Sequence, residues 1–402
     1  MNETLITRLI EENDGAFYIL NSKLFEKNFL NLKETFKKYY KNFNIAYSYK
    51  TNYIPKLCKI VDKLGGYAEV VSEMEAQLAL KIGVKCNNII WNGPVKNLKF
   101  LGEYSLKGMQ INIDNLEEAV RIQKIALDNP NNIINVGLRC NYDVFDGVIS
   151  RFGFDVNSED FIEVLKIINN TSNLKLISLQ AHFAKRQIEY WKNKVSGLLN
   201  ILDRFKLEPK RLDVGGGLFG KMRSELVNQF TSEIPTYEQY AKLIGGIIDS
   251  FFDGKNYKPE LIIEPGTALV GDCMQYAALI DNIKNIRGKF FASTYASQKN
   301  INMVNVNPPI DIIHNAVGEY YRNLDIVGYT CIENDVLYKN YSGKLGKGDI
   351  VVFSNCGSYS IVMKPPFIFP NFAIIDIDDE NDNFEVVKKR ETFMDIFNTY
   401  KF

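Results

Sequence analysis

From residue 44 to residue 266 the chain alternates between short β-branched or aromatic runs and stretches whose apolar residues recur at three- and four-residue steps. The runs are NIAYSYK (44–50), YAEVV (67–71), NIIWNG (88–93), MQINI (109–113), INVGLR (134–139), LISLQAH (176–182), RLDVGGG (211–217) and ELIIEPG (260–266). Between them lie amphipathic segments such as IPKLCKIVDKL (54–64), SEMEAQLALKIG (72–83), LEEAVRIQKIAL (116–127) and FIEVLKIINN (161–170), which carry the period of a helix with one buried face. Eight strand-then-helix units in roughly 220 residues fit an eight-stranded parallel barrel, whose usual size is about 250. An open doubly wound sheet needs fewer strands and usually a Gly-rich turn after the first; here the glycines follow the seventh. The expected fold is therefore α/β, a (β/α)8 TIM-like barrel.

After about residue 270 strand-like runs follow one another directly: MQYAALI, KFFASTYA, IDIIHNAV, DIVVFSN, FAIIDID and FEVVKKR, separated by turn signals such as SGKLGKGD and DDENDN. This pattern predicts a C-terminal antiparallel β domain. The early run AFYIL (16–20) precedes the barrel and could add a strand to it. A length of 402 residues exceeds the usual size of one domain,, so the chain is divided into a barrel at 22–270 and a β domain formed by 1–21 with 271–402.

The bulk chemistry excludes several classes. Forty-eight basic residues balance 48 acidic ones, which argues against a nucleic-acid or anionic-membrane binder held by bulk charge. Six cysteines (Cys58, Cys86, Cys140, Cys273, Cys331, Cys356) are scattered without C-x-x-C pairs, a pattern that suits a reducing cytoplasm rather than a disulfide framework. The charged N-terminus lacks the apolar core of a signal peptide, and no apolar run is long enough to cross a membrane,. Only His182 and His314 are present, so no histidine-rich metal site is expected.

In such a barrel the site lies on the loops after the strands. Lys50 closes strand one, His182 strand six, Gly215, Gly216 and Gly217 strand seven, and Glu264-Pro265-Gly266 strand eight. Singly, each has an ordinary explanation: a solvated lysine, a satisfied core histidine, a tight turn, a surface carboxylate. Together they converge on one barrel mouth. Three residues without Cβ let backbone N–H groups turn inward around a phosphate. Pyridoxal phosphate needs a lysine for its Schiff base, donors for its phosphate and an anion for its ring nitrogen, and these groups supply all three.

The ordered motifs YSYKTN (47–52), EVVS (69–72), LR (138–139), SRFG (150–153), His182, DVGGG (213–217), EPG (264–266), CIEND (331–335) and GSY (357–359) make the chain resemble the fold type III pyridoxal-phosphate-dependent decarboxylases. That group comprises the diaminopimelate, ornithine and arginine decarboxylases, with an alanine-racemase-like barrel. The resemblance implies that Lys50 forms the Schiff base, that His182 stacks on the cofactor ring, and that Glu264 faces its nitrogen. Gly215, Gly216, Gly217, the segment Gly266-Thr267 and Tyr359 would hold the phosphate. Glu69, in place of the family's aspartate, would lie near the lysine amine, and Arg139 would support the ring-binding layer. Cys331 matches a cysteine that the partner subunit contributes and that reprotonates the carbanion, which implies a homodimer whose β domain completes the site at the interface. A free cysteine is more often a small buried hydrophobe; only the surrounding pattern favours the catalytic role.

The chain also departs from the family pattern. Ile332 follows the cysteine where an acid is usual, with Glu333 and Asp335 further on; Thr267 replaces an arginine after EPG; Ala184-Lys185 replaces a Gly-Ser phosphate contact after the histidine. An arginine-tyrosine pair that grips the second carboxyl group in diaminopimelate decarboxylases has no counterpart around NVNPPIDIIHNAV. Missing charge-assisted contacts cost about 1.5–3 kcal/mol each, so the expected substrate is another amino acid or an amino-acid conjugate, including peptide-like or carrier-bound intermediates, with Ile332, Glu333 and Asp335 at its distal end. Two alternatives remain open: a racemase of the same fold, against which Glu264 and Cys331 speak, and a non-catalytic homologue that regulates a partner by binding.

Overall fold

Most strands of the barrel are only three to six residues long. The computed structural model describes residues 2–303, 305–315, 317–378, 381 and 383–402. Two units emerge, one of Glu26–Phe219 with Ser232–Ala268, the other of Met1–Phe25, Gly220–Thr231 and Leu269–Phe402. The first strand, β1 (Ala16–Leu20), lies in the second of these. The next nine lie in the first: β2 (Phe43–Ser48), β3 (Tyr67–Val70), β4 (Ile89–Trp91), β5 (Gln110–Ile113), β6 (Ile134–Asn141), β7 (Phe154–Asp155), β8 (Leu174–Gln180), β9 (Arg211–Asp213) and β10 (Glu260–Ile263). Eight of them close a parallel ring in the order β2-β3-β4-β5-β6-β8-β9-β10, with β10 pairing back to β2; β7 pairs only with β6.

The barrel interior is stacked in layers that follow the two-residue period of the strands. At the N-terminal ends Arg211 donates to Gln110 at 2.6 Å and to Glu260 at 3.2 Å, and Tyr67 donates to Glu260 at 3.0 Å. Above them Ala46, Ile90 and Ile262 form a small apolar cluster against Tyr67. Two residues further along the same strands come Glu69, Asn92, Asn112, Asp213 and Glu264, all buried. Gly137 makes room for this polar layer: a Cβ there would come within 1.9 Å of Asn112 Oδ1.

Several of the helices begin where the sequence places small polar caps. Ser72, Asn115 and Ser158 each accept a hydrogen bond from the backbone three residues on, and Thr236 with Gln239 forms a reciprocal capping box. Such caps satisfy otherwise orphaned N–H groups and contribute about 1 kcal/mol each. The longest helix, Ile188–Phe205, buries Trp191, Val195, Leu198 and Leu202.

The second unit holds β1 together with β11 (Met274–Ile286), β12 (Lys289–Thr294), β13 (Ile310–Ile313), β14 (Glu319–Val327), β15 (Val336–Leu345), β16 (Ile350–Phe353), β17 (Ala373–Asp378) and β18 (Asn383–Lys388). Its sheet is mixed rather than purely antiparallel, because β1 runs parallel to β17 and β12 parallel to β14. AFYIL therefore does not extend the barrel. It is buried along its whole length between β11 and β17, where Phe17 and Ile19 pack with Leu5, Ile6, Leu9 and Ile10 of the helix Glu3–Glu12. Strands β14 and β15 give no clear strand signal in the sequence. Tyr and Asn recur in both, with Arg322 in β14 and Lys339 and Lys344 in β15, and their irregular register breaks the alternation that would reveal them. The turn between them, 328–335, carries Cys331. Among the described residues no helix is long and apolar enough to cross a membrane.

Candidate active site

Lys50 sits in the short 3-10 turn Tyr49–Thr51 just past β2, and its Nζ donates to Glu69 Oε2 at 2.6 Å. Ser48 donates to the same oxygen at 2.5 Å, and Asn92 Nδ2 donates to Glu69 Oε1 at 2.9 Å. Asn92 Nδ2 also donates to Glu264 Oε1 at 2.5 Å, with Gln180 Nε2 at 3.3 Å from both oxygens of that carboxyl. One asparagine thus bridges the carboxylate beside the lysine to the carboxylate past β10. The sequence does not single out Asn92 or Gln180. The only signal they give is position, since each is the polar residue at or just past the end of a β-strand run.

Burial alone would push the Glu69 carboxyl up, but the Lys50 ammonium and the bonds from Lys50, Ser48 and Asn92 outweigh it and hold Glu69 below its ordinary range. Glu264 goes the other way, raised by burial and by the charge of Glu69 against the pull of Lys50 and Asn92. Asp213 is raised furthest of the three, by burial and then by Glu264. Its Oδ1 accepts the Gly215 N–H at 2.9 Å, and a proton retained on Asp213 can be donated to Glu264. Three buried acids therefore share a cluster in which a single ammonium pairs with one of them, leaving the Glu264 end short of positive charge.

His182 Nδ1 accepts the Gly216 N–H at 3.0 Å, which fixes the neutral tautomer with its proton on Nε2. Desolvation, followed by the charges of Lys50, Arg139, Lys194 and Arg186, pushes this imidazole well below its ordinary value. The triple glycine serves close packing as much as donation. A Cβ on Gly215 would come within 2.5 Å of the Ala181 carbonyl, and one on Gly216 within 2.4 Å of the Glu264 carbonyl. The Gly215 and Gly216 N–H groups bond to Asp213 and His182, and the Gly217 N–H has no partner among the described residues.

Other expected residues fall into place differently. Arg139, in β6, lies 3.6 Å from Asp114 and over the Phe152 ring at 4.6 Å. Gly266 packs on the lysine turn, where a Cβ would meet Thr51 Oγ1 at 2.0 Å, and Thr267 opens the short helix Thr267–Val270. Cys331, Ile332, Glu333, Asp335 and Tyr359 belong to the second unit. Cys331 is exposed and lines, with Ile332, Glu333, Tyr329 and Phe369, a cavity of about 710 Å³. Asp335, expected at the distal end of the substrate, has its own partners. It is buried, and its carboxylate is taken up by Ser297, the Gln298 N–H and Thr330 at 2.6–3.1 Å, so it braces the turn that carries Cys331. Tyr359 is half-buried with a left-handed backbone, φ +59°. Among the described residues no group of three or more His, Cys, Asp or Glu could hold a metal ion.

The raised acids give the protein a pH effect. Because Asp213 binds its proton more tightly in the folded chain than in the unfolded one, its favourable contribution is present below the ordinary carboxylate pKa and is lost as pH rises through the raised value. Asp213→Asn keeps the shape and removes this titration. The Tm of the cofactor-free Asp213→Asn protein is expected to gain on that of wild type as pH rises from about 5 to about 8; a Tm difference independent of pH would contradict the assignment.

Residues 25–271 match the pyridoxal-binding domain of the pyridoxal-dependent decarboxylases. The chain is 24% identical to the diaminopimelate decarboxylase of Bacteroides thetaiotaomicron, over 86% of this chain and 91% of that one. It is also 24% identical to the L-glutamyl-[BtrI acyl-carrier protein] decarboxylase of Niallia circulans, over 99% and 96%. The crystal structure of diaminopimelate decarboxylase from M. jannaschii superposes with a TM-score of 0.86 at 21% identity, covering 98% of this chain and 93% of that one.

Proposed function

The chain belongs to the pyridoxal-dependent decarboxylases, with pyridoxal phosphate as cofactor, and from that premise we propose that Lys50 carries the cofactor and that the enzyme decarboxylates an amino acid or amino-acid conjugate. The reading is carried by the hydrogen-bonded chain that runs from Lys50 through the buried Glu69 and Asn92 to Glu264. The residues fit the cofactor: Lys50 offers an amine, and Glu264 sits where a cation is lacking, beside Asp213 Oδ2 and Gln180 Oε1, two buried oxygens that accept from no donor among the described residues. When bound, pyridoxal phosphate supplies an aldehyde that captures the substrate amine and a ring that takes up the electron pair left as CO₂ departs.

Within this site the protein's own groups have separable tasks. Glu69 and Ser48 orient the Lys50 amine. Glu264, backed by Asn92 and Gln180, would keep the ring nitrogen protonated, which lowers the energy of the electron pair at the reacting carbon. Neutral His182 presents a flat, uncharged face for stacking. Cys331 of the partner subunit would then return a proton from its thiol to the carbon that lost CO₂, a role for which an exposed thiol suffices. The working unit under this reading is a homodimer with two shared sites.

The substrate end is read from the wall beside the cysteine. Ile332 is 48% exposed and apolar, with Tyr329 and Phe369 lining the same cavity, which favours a larger or less polar distal group than that of diaminopimelate. Release of CO₂ from a panel of amino acids and their conjugates tests this, and fast release from meso-diaminopimelate alone would overturn it. With the substrate in hand, mixing Lys50→Ala and Cys331→Ala subunits tests the shared site. Random hybrids restore one intact site in half of the dimers, so activity is expected to recover to about a quarter of wild type. No recovery above either parent would count against contribution from the partner.

A further inference from the structure

The loop after β8 carries two adjacent cations, Lys185 and Arg186, neither of which has a carboxylate partner among the described residues. Three buried side chains from the surrounding helices bind this loop by its carbonyls. Lys194 donates to the carbonyls of Phe183 at 3.4 Å and Lys185 at 2.5 Å; Tyr240 donates to that of Arg186 at 2.6 Å, and Trp191 Nε1 to the same oxygen at 3.4 Å. Committing a buried lysine and two buried aromatic donors to one surface loop fixes its backbone, which is what a loop needs if it is to present a side chain at a set position.

The side chain so presented meets the glycine turn. Arg186 Cγ lies 4.0 Å from where a Cβ on Gly217 would stand, with the Phe183 and Lys185 carbonyls at 3.7 and 4.0 Å, and the guanidinium lies 5.7 Å from the centroid of the Phe219 ring. Its charge reaches the pocket, where it contributes to lowering His182. Gly217 (φ +94°) is also the one glycine of the three whose N–H remains unused among the described residues. A phosphate dianion at this turn would thus find the Gly217 N–H and, on a loop whose backbone is fixed, a guanidinium with no carboxylate partner among the described residues.

We propose that Arg186 is a phosphate-binding residue that, with the Gly217 N–H, takes the phosphate of the cofactor. Its planar fork of donors matches two phosphate oxygens at once, and the charge it brings is one the glycine turn cannot supply. The proposal rests on Lys50 being the cofactor's anchor, and the test separates the two.

Cofactor-free wild type, Arg186→Ala and Arg186→Lys are titrated with pyridoxal phosphate and with pyridoxal, which lacks the phosphate, and binding is followed by the absorbance of the lysine adduct. Arg186→Ala is expected to weaken pyridoxal phosphate by about 10- to 100-fold and to leave pyridoxal unchanged, with Arg186→Lys recovering part of the loss. Equal weakening of both ligands, or unchanged affinity for pyridoxal phosphate, overturns the proposal. Unchanged cofactor affinity with a raised KM for a carboxylate substrate assigns the guanidinium to the substrate instead. If neither aldehyde forms an adduct with wild type, the reading of Lys50 itself fails.

Discussion

Lys50→Ala is expected to lower decarboxylation by at least about 10³-fold, the scale on which loss of a covalent group falls, and to abolish the adduct seen by mass spectrometry after borohydride reduction. The amine is the one group in the cluster that can bond to an aldehyde, so no neighbour can replace it. Its removal also reaches the resting protein. Glu69 is fully buried and paired with Lys50 at 2.6 Å; without the ammonium only Ser48 and Asn92 remain to satisfy it. Because the lysine side chain is 34% exposed, solvent screens part of the pair, and the stability loss in the cofactor-free protein is expected to be about 1–3 kcal/mol. Turnover within tenfold of wild type, or an adduct that persists on another lysine, would refute the anchor.

Glu264→Gln is expected to change two properties in opposite directions. Turnover should fall by about 10²–10³-fold, the effect of removing one fixed electrostatic partner from a reacting group, because an amide does not hold the ring nitrogen protonated. The cofactor should still attach to Lys50. In the cofactor-free protein the same substitution should raise Tm. Glu264 is buried beside Glu69 and Asp213, and that crowding raises its carboxyl; a neutral residue of the same shape removes the repulsion, as replacing strained charges at a functional site commonly does. A fall in turnover accompanied by a comparable fall in stability would reassign Glu264 to a structural role. Stability and activity moving apart is what a carboxylate kept for a cationic ligand requires.

Much of the site is legible in the sequence because its members come from strand ends. The alternation of runs locates all eight barrel strands, and Lys50, His182, Gly215–Gly217 and Glu264 are the candidates that their ends offer once the ring closes. What escapes is the connecting tissue. Asn92 matters because its amide reaches both Glu69 and Glu264, yet nothing local marks an asparagine that ends a strand as a bridge between two others. The inward bonds of Asp335 escape for the same reason: its place after Cys331 says nothing of Ser297, Gln298 and Thr330, onto which the turn folds it.

The periodicities, and with them the barrel, the β-rich second unit and the identity of the groups at the strand ends, can be read along the chain alone, because strand and helix periods are local properties. The mixed character of the second sheet emerges on folding, since parallel pairing of β1 with β17 joins residues more than 350 positions apart. The fate of each donor was likewise a tertiary matter: two glycine N–H groups are taken by Asp213 and His182, one is left open, and Arg186 stands beside it. Hydrogen bonds and charge pairs are settled by which side chains meet across strands and loops, and that information exists only once the ring has closed.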